Sequence, residues 1–263
     1  MANRTGQQLG NYRLVRFLGQ GGFADVYLGE HVYLKSYAAL KVLHRTLKEE
    51  DVERFLSEAQ TLVQLRHAHI VRVLEFIFEQ DTPVLVMDYA LGGTARQRYP
   101  TGSCLPLATT VAYLRQVAAA LQYAHNRSII HRDVKPDNIL FDSDRQILLG
   151  DFGLALFAPS PEQVSTQEWV GTIPYMAPEQ LQGKPTFATD QYALGIVTYE
   201  WLCGVRPFEG DRWALMHQHL FVAPPPLREK CPGLPASVEG VVLKALAKDP
   251  QQRSQASELL CSR

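Results

Sequence analysis

The tightest constraint on this chain is the run His131-Arg132-Asp133-Val134-Lys135-Pro136-Asp137-Asn138, followed thirteen residues after Asn138 by Asp151-Phe152-Gly153. A carboxylate, an ammonium, a carboxamide and a further carboxylate are set between Asp133 and Asp151. The short apolar runs that separate them read as strands.

This set suits phosphoryl transfer. A triphosphate carries several negative charges, so a divalent cation has to be held by oxygen donors, and Asp151 with Asn138 supplies two hard ligands. Lys135 is suited to neutralise the moving phosphoryl group. Asp133 is placed to accept the proton of an attacking hydroxyl, or to orient that hydroxyl in line. Taken singly, either aspartate reads more simply as a turn or cap carboxylate. Order and spacing together lift them above that reading, and the string resembles the catalytic loop and metal-binding triplet of eukaryotic-type protein kinases.

The preceding sequence extends the resemblance. Residues 12–18 and 25–29 read as strands joined by Gly19-Gln20-Gly21-Gly22-Phe23-Ala24, where missing side chains let backbone amides approach phosphate. A strand-like Val26-Tyr27-Leu28 follows instead of a helix, which argues against a dinucleotide-binding loop. By resemblance, Leu18, Gly19, Gly21 and Gly22 cover the nucleotide, and Lys41, in an otherwise apolar strand, holds its α and β phosphates. An edge-strand lysine pointing to solvent is the simpler alternative for Lys41. Val52, Phe55, Leu56, Ala59, Leu62 and Val63 recur at helical spacing, and Glu58 at the edge of that face is the glutamate expected to pair with Lys41. Residues 71–78 and 83–88 complete a five-strand pattern, broken by Gly92-Gly93 as a hinge. The resemblance makes Met87 the guard of the adenine pocket, the backbone of Asp88 and Ala90 its polar edge, and Val26, Ala39 and Leu140 its apolar walls.

Beyond the hinge, Leu107, Val111, Leu114, Ala118, Leu121 and His125 share a helical face. His131 reads as architectural, and with Leu62, Val73 and Phe152 it matches the stacked apolar spine of the family. The 29 residues from Asp151 to Glu179 end in a stretch like the boundary of a kinase activation segment, longer than an ordinary connection. In the resemblance, Thr172 bridges Asp133 and Lys135 and directs transfer to serine or threonine. Arg132 implies a cationic pocket for a phosphate on that segment, with Thr166 first, Ser165 next and Ser160 too near Asp151. Asp190 reads as a helix N-cap that, in the family, braces the catalytic loop. Val238, Val241, Val242, Ala245 and Leu246 mark a final amphipathic helix, and Arg253 is placed to pair with Glu179. Asp137 faces the substrate groove in the family, which suggests basic residues before the acceptor.

Composition narrows the partners. Twenty-six lysines and arginines against 27 aspartates and glutamates, a net charge of −1 over 263 residues, give no sign of a nucleic-acid or membrane surface. Cys104, Cys203, Cys231 and Cys261 lie far apart without zinc spacing or a disulfide framework, so a reducing cytosol fits best. The apolar run at 192–205 contains Thr198 and Glu200 and is shorter than the ~20 residues needed to span a bilayer, so a buried helix is expected.

The expectation is therefore an α+β, bilobal protein-kinase-like fold, with a small antiparallel sheet lobe carrying one helix and a larger, mainly helical lobe. Residues 1–10 are expected to be a flexible tail, 11–88 the first lobe, 89–93 the hinge and 94–263 the second lobe. The resemblance covers nearly the whole chain. It implies an ATP-dependent serine/threonine kinase using Mg2+, with Mn2+ as an alternative, acting on proteins and, through self-association, on its own activation segment. DVKPDN and GTIPYMAPEQ are most like bacterial members, of the kind usually tethered to a membrane, so a cytoplasmic location is expected, either alone or as the cytoplasmic domain of a longer, anchored protein. A pseudokinase scaffold and a small-molecule phosphotransferase remain alternatives. Against the first stand Lys41, Glu58, Asp133, Lys135, Asn138 and Asp151, and against the second the segment from Thr172 to Glu179.

Overall fold

The computed structural model describes residues 4–21, 24–44, 56–57, 59–79, 82–152 and 173–253. Six antiparallel strands, β1 (Gln8–Leu9), β2 (Tyr12–Gln20), β3 (Ala24–His31), β4 (Tyr37–Leu43), β5 (Val73–Glu79) and β6 (Thr82–Asp88), form one sheet in the order β1-β2-β3-β4-β6-β5. β1 was not anticipated. Gln8 pairs with Arg13 and Leu9 with Tyr12, and Leu9 is buried, so the expected flexible tail is part of the sheet at these two residues. A strand this short contains no repeat from which a period of two can be read.

β4 shows how the period of two fixes function. Ala38, Leu40 and Val42 enter one apolar cluster with Leu14, Tyr27, Val84 and Val86. Their neighbours Ala39 and Leu43 enter the main core with Leu85 and Met87. Lys41 belongs to the second set, and β4 lies between β3 and β6, so the solvent-facing edge alternative for Lys41 fails. Two register shifts in the pairing of β2 with β3, at Leu14/Arg16 and Phe17/Gly19, interrupt the strand before its turn.

The second lobe is mainly helical. It is built on the helices Leu107–His125, Phe187–Cys203, Arg212–Phe221 and Ala236–Ala245, with the hairpin β7 (Ile139–Phe141) and β8 (Ile147–Leu149) facing the sheet. Every residue from Thr189 to Cys203 is buried, as the apolar run implies. The helix stops at Gly204, whose φ of 72° is the left-handed conformation favoured at a helix end. Its N-cap is Thr186, in a capping box with Thr189, so the N-cap reading of Asp190 is wrong and the carboxylate is released for another task.

The lobes are stitched together at the back. The Val71 amide donates to the Leu149 carbonyl at 3.0 Å, and the Leu149 amide to the His69 carbonyl at 2.9 Å. Residues 92–93 are pinned as well, with Gly92 N donating to Phe141 O at 2.8 Å and Phe141 N to Gly93 O at 2.9 Å. A Cβ on Gly92 would come within 2.6 Å of the Phe141 Cβ, so glycine is required there by close approach rather than for a free hinge.

Candidate active site

The catalytic loop is held from behind by Asp190. Its Oδ2 accepts from the His131 amide at 2.8 Å and its Oδ1 from the Arg132 amide at 2.8 Å, while His125 Nε2 lies 2.7 Å from Oδ2. A carboxylate with no exposure survives because each oxygen is satisfied. His131 is fully buried, accepts at Nδ1 from the Asp133 amide at 3.2 Å and sits with Nε2 2.7 Å from the Gly150 carbonyl. That pattern requires the proton on Nε2 and leaves the ring no base chemistry. Its ring centroid lies 4.5 Å from that of Phe152, and Leu62, Val73 and Phe152 are buried in the same core.

On this support the polar side chains converge. Lys135 Nζ lies 2.8 Å from Asp133 Oδ2, and Asn138 Nδ2 donates to the same oxygen at 2.9 Å and to the Asp133 carbonyl at 2.8 Å. Asp133 Oδ1 is buried and has no hydrogen-bond partner among the described residues. One carboxylate oxygen is thus fixed, and among the described residues the other is unfilled. A buried acceptor costs about 1–3 kcal/mol if nothing binds it, so Oδ1 calls for a donor from beyond the described residues, either the chain's own or a substrate's.

Across the cleft, Lys41 Nζ pairs with Asp151 Oδ2 at 2.9 Å. Burial alone would raise the Asp151 carboxyl. The Lys41 ammonium, with Lys135 further off, outweighs burial and holds it below the usual carboxylate range. Asp151 and Arg132 both carry side chains at positive φ, 62° and 67°. Strain of about 1–3 kcal/mol per residue persists only where the surroundings enforce it.

The expected nucleotide walls share this side of the sheet. Ala39 is opposite Met87, Val26 opposite Lys41 and Gly19 opposite Val26 across the strand pairs. Leu18 is half-buried on β2, and Leu140 bridges to Thr94 beneath. Gly21 closes the turn, its amide donating to Ala24 O at 2.8 Å. At the hinge, Ala90 is buried and the Asp88 amide is committed to the Arg72 carbonyl at 3.0 Å. Gly22, Glu58, Ser160, Ser165, Thr166 and Thr172 lie outside the described residues, as do Val52, Phe55 and Gly153.

A bound cation fits this donor set. Asn138 uses its Nδ2 on Asp133, which leaves its amide oxygen free to act as a hard donor, as the Asp151 carboxylate can. Among the described residues no group of three or more His, Cys, Asp and Glu gathers to hold a metal.

Residues 12–263 match the protein kinase domain family. The chain belongs to the protein kinase domain family. The kinase domain is 36% identical over 253 residues to the serine/threonine-protein kinase PrkC of Bacillus subtilis, covering 95% of this chain and 39% of PrkC. It is 39% identical over 258 residues to the serine/threonine-protein kinase Pkn1 of Myxococcus xanthus, covering 95% and 37%. It is 39% identical over 263 residues to the serine/threonine-protein kinase PknF of Mycobacterium tuberculosis, covering 95% and 55%. The chain thus spans between about a third and just over half the length of these curated relatives. Among the described residues no helix is long and apolar enough to cross a membrane.

Two parts of the kinase domain were not read from sequence. Arg96 donates to both oxygens of Glu200, at 2.7 and 3.3 Å, and to the Tyr175 hydroxyl; Tyr175 itself donates to Glu200 at 2.6 Å. Arg96 Nε also stands 3.7 Å from Asp137, so the carboxylate expected to recruit a basic substrate residue already has a cation beside it. The signal was Glu200 itself, a charge in the apolar second half of its helix, which implies a buried partner. The second is Gln180, whose Nε2 donates to the Arg132 carbonyl at 2.8 Å.

Proposed function

We propose that this chain is the catalytic domain of a serine/threonine protein kinase, with residues 11–88 and 94–263 as its lobes and 89–93 joining them. The observation that carries the reading is the divided Asp133 carboxylate, with Oδ2 fixed by Lys135 and Asn138 and Oδ1 unpartnered among the described residues. Bound Mg2+-ATP supplies the transferable γ-phosphoryl group. Asp133 Oδ1 takes the proton of the acceptor hydroxyl as that oxygen bonds to the γ-phosphorus and the bond to ADP breaks. Lys135 stabilises charge on the moving group, Lys41 binds the α and β phosphates, and Asp151 with Asn138 holds the cation. Leu18, Gly19, Gly21, Gly22, Val26, Ala39, Met87, Asp88, Ala90 and Leu140 form the nucleotide cleft. Glu58 pairs with Lys41 in the active arrangement, and Thr172 joins Asp133 to Lys135.

Incubating the chain with radiolabelled ATP, Mg2+ and a mixed protein substrate, then analysing phosphoamino acids, tests the reading. Phosphoserine and phosphothreonine are expected, and phosphotyrosine as the main product would refute it. The named relatives are serine/threonine-protein kinases, which supports this specificity. Self-phosphorylation at Thr166, in trans between two copies, is part of the proposal. Arg132 has a buried Nε without a hydrogen-bond partner among the described residues, which supports a phosphate-binding role. Thr166→Ala is expected to stay at the activity of unphosphorylated enzyme; mass spectrometry finding Thr166 unmodified after incubation with ATP and Mg2+ would remove this step.

A further inference from the structure

Arg132 immediately precedes Asp133, and its φ of 67° is a conformation that residues with side chains rarely adopt. The two peptide planes that meet at its Cα are held by different groups. The plane before it carries the Arg132 amide, taken by Asp190 at 2.8 Å. The plane after it carries the Arg132 carbonyl, taken by Gln180 Nε2 at 2.8 Å. The amide of Asp133 lies in that second plane, and its bond to His131 Nδ1 is long, at 3.2 Å. Gln180 therefore provides the shorter of the two bonds that fix the plane leading into Asp133.

We propose that Gln180 is a positioning residue for phosphoryl transfer, clamping the Arg132–Asp133 peptide so that the Asp133 carboxylate keeps its aim. Gln180 can do this because its own helix, Pro178–Leu181, is anchored next door. Glu179 is buried, paired with Arg253 at 2.6 Å and accepting from Thr189 at 2.9 Å. The end of the activation segment is thereby tied to the catalytic loop through one side-chain amide. A donor is essential in that place, because the Arg132 carbonyl only accepts. A glutamate of the same shape is ionised at neutral pH and would oppose one acceptor with another.

The inference rests on the role given to Asp133 above, and its test separates the two. Gln180→Met and Gln180→Glu, with the exposed Gln182→Ala as control, are compared with the unaltered chain in steady-state kinetics, thermal unfolding and NMR amide exchange. Both Gln180 variants are expected to lose about tenfold in kcat, with the KM for ATP within about twofold and the unfolding midpoint unchanged. The Asp133 amide should exchange faster in both, and Gln182→Ala should behave as the unaltered chain. Full turnover in Gln180→Glu, a loss of kcat matched by a loss of thermal stability, or unaltered exchange at Asp133 would overturn the clamp. If the unaltered chain transfers no phosphate, the kinase reading fails, and the exchange comparison still decides the clamp.

Discussion

Two ion pairs, the buried Glu179 with Arg253 and the partly exposed Lys41 with Asp151, have similar lengths of 2.6 and 2.9 Å and opposite characters. The Arg253 guanidinium is saturated. It donates to both oxygens of Glu179 and to the carbonyls of Ala188, Ala247 and Lys248, and its side chain has no exposure. Lys41 and Asp151 reach across the cleft between strand and loop, Asp151 is 28% exposed at the side chain, and its backbone is held at positive φ. The first pair locks parts of one lobe together and has nothing left to offer a ligand. In the proposed reaction the second pair exchanges its partners, phosphate replacing the carboxylate on Lys41 and a cation the ammonium on Asp151. Distance alone does not distinguish the two pairs; the saturated, unexposed guanidinium of Arg253 and the solvent access of Asp151 do.

Breaking each pair should separate the roles. Lys41→Met is expected to lower phosphotransfer about a thousandfold, roughly 4 kcal/mol at the transition state. Its folding stability should change by no more than about 1 kcal/mol, because the pair is partly solvated. The Asp151 carboxyl should also move up once its main stabilising charge is gone. Steady-state kinetics and denaturant unfolding check both parts. Arg253→Met should do the reverse, removing about 3–5 kcal/mol of stability by stranding the Glu179 carboxylate, with activity lost only as far as the fold is lost. Equilibrium unfolding in denaturant measures that difference.

A third effect, on pH dependence, concerns the buried His219 in the second lobe. Burial, and then Lys248, press the His219 imidazole down to about 3. With a folded value below the ordinary 6.5, the unfolded chain binds more protons between those limits, so stability is full above about pH 6.5 and falls as the pH drops towards 3. His219→Gln should flatten that part of the stability curve, at the cost of disturbing the bond between His219 Nδ1 and the Tyr192 hydroxyl at 2.9 Å. Unfolding midpoints between pH 4 and pH 7 provide the check.

What the sequence discloses follows the distance over which its signals act. Asp133, Lys135 and Asn138 were legible because their partners lie within five residues, inside one loop. The two-lobed plan was legible from strand and helix periods, whereas the role of Lys41 came from resemblance, because β4 is buried on both faces and its sequence does not mark one side. The Asp190 brace, 58 and 59 residues from the amides it binds, came from resemblance, while the residues alone suggested an N-cap. Local capping chemistry cannot tell Thr186 from Asp190 when both types cap well. Arg96 and Glu200 are 104 residues apart, and Gln180 is 48 from Arg132, so no local pattern connects them. β1 was missed for the opposite reason, being too short to show a pattern.

The central claim is that Asp133 Oδ1 serves the acceptor hydroxyl while Oδ2 is held by Lys135 and Asn138. Asp133→Asn keeps the shape and removes the charge, so the direct measurement is kcat on a protein substrate together with the Kd for ATP in the presence of Mg2+. The account predicts that kcat falls at least about a hundredfold while the Kd changes by no more than a few-fold, since the group acts mainly at the transition state. Turnover near that of the unaltered chain would contradict it.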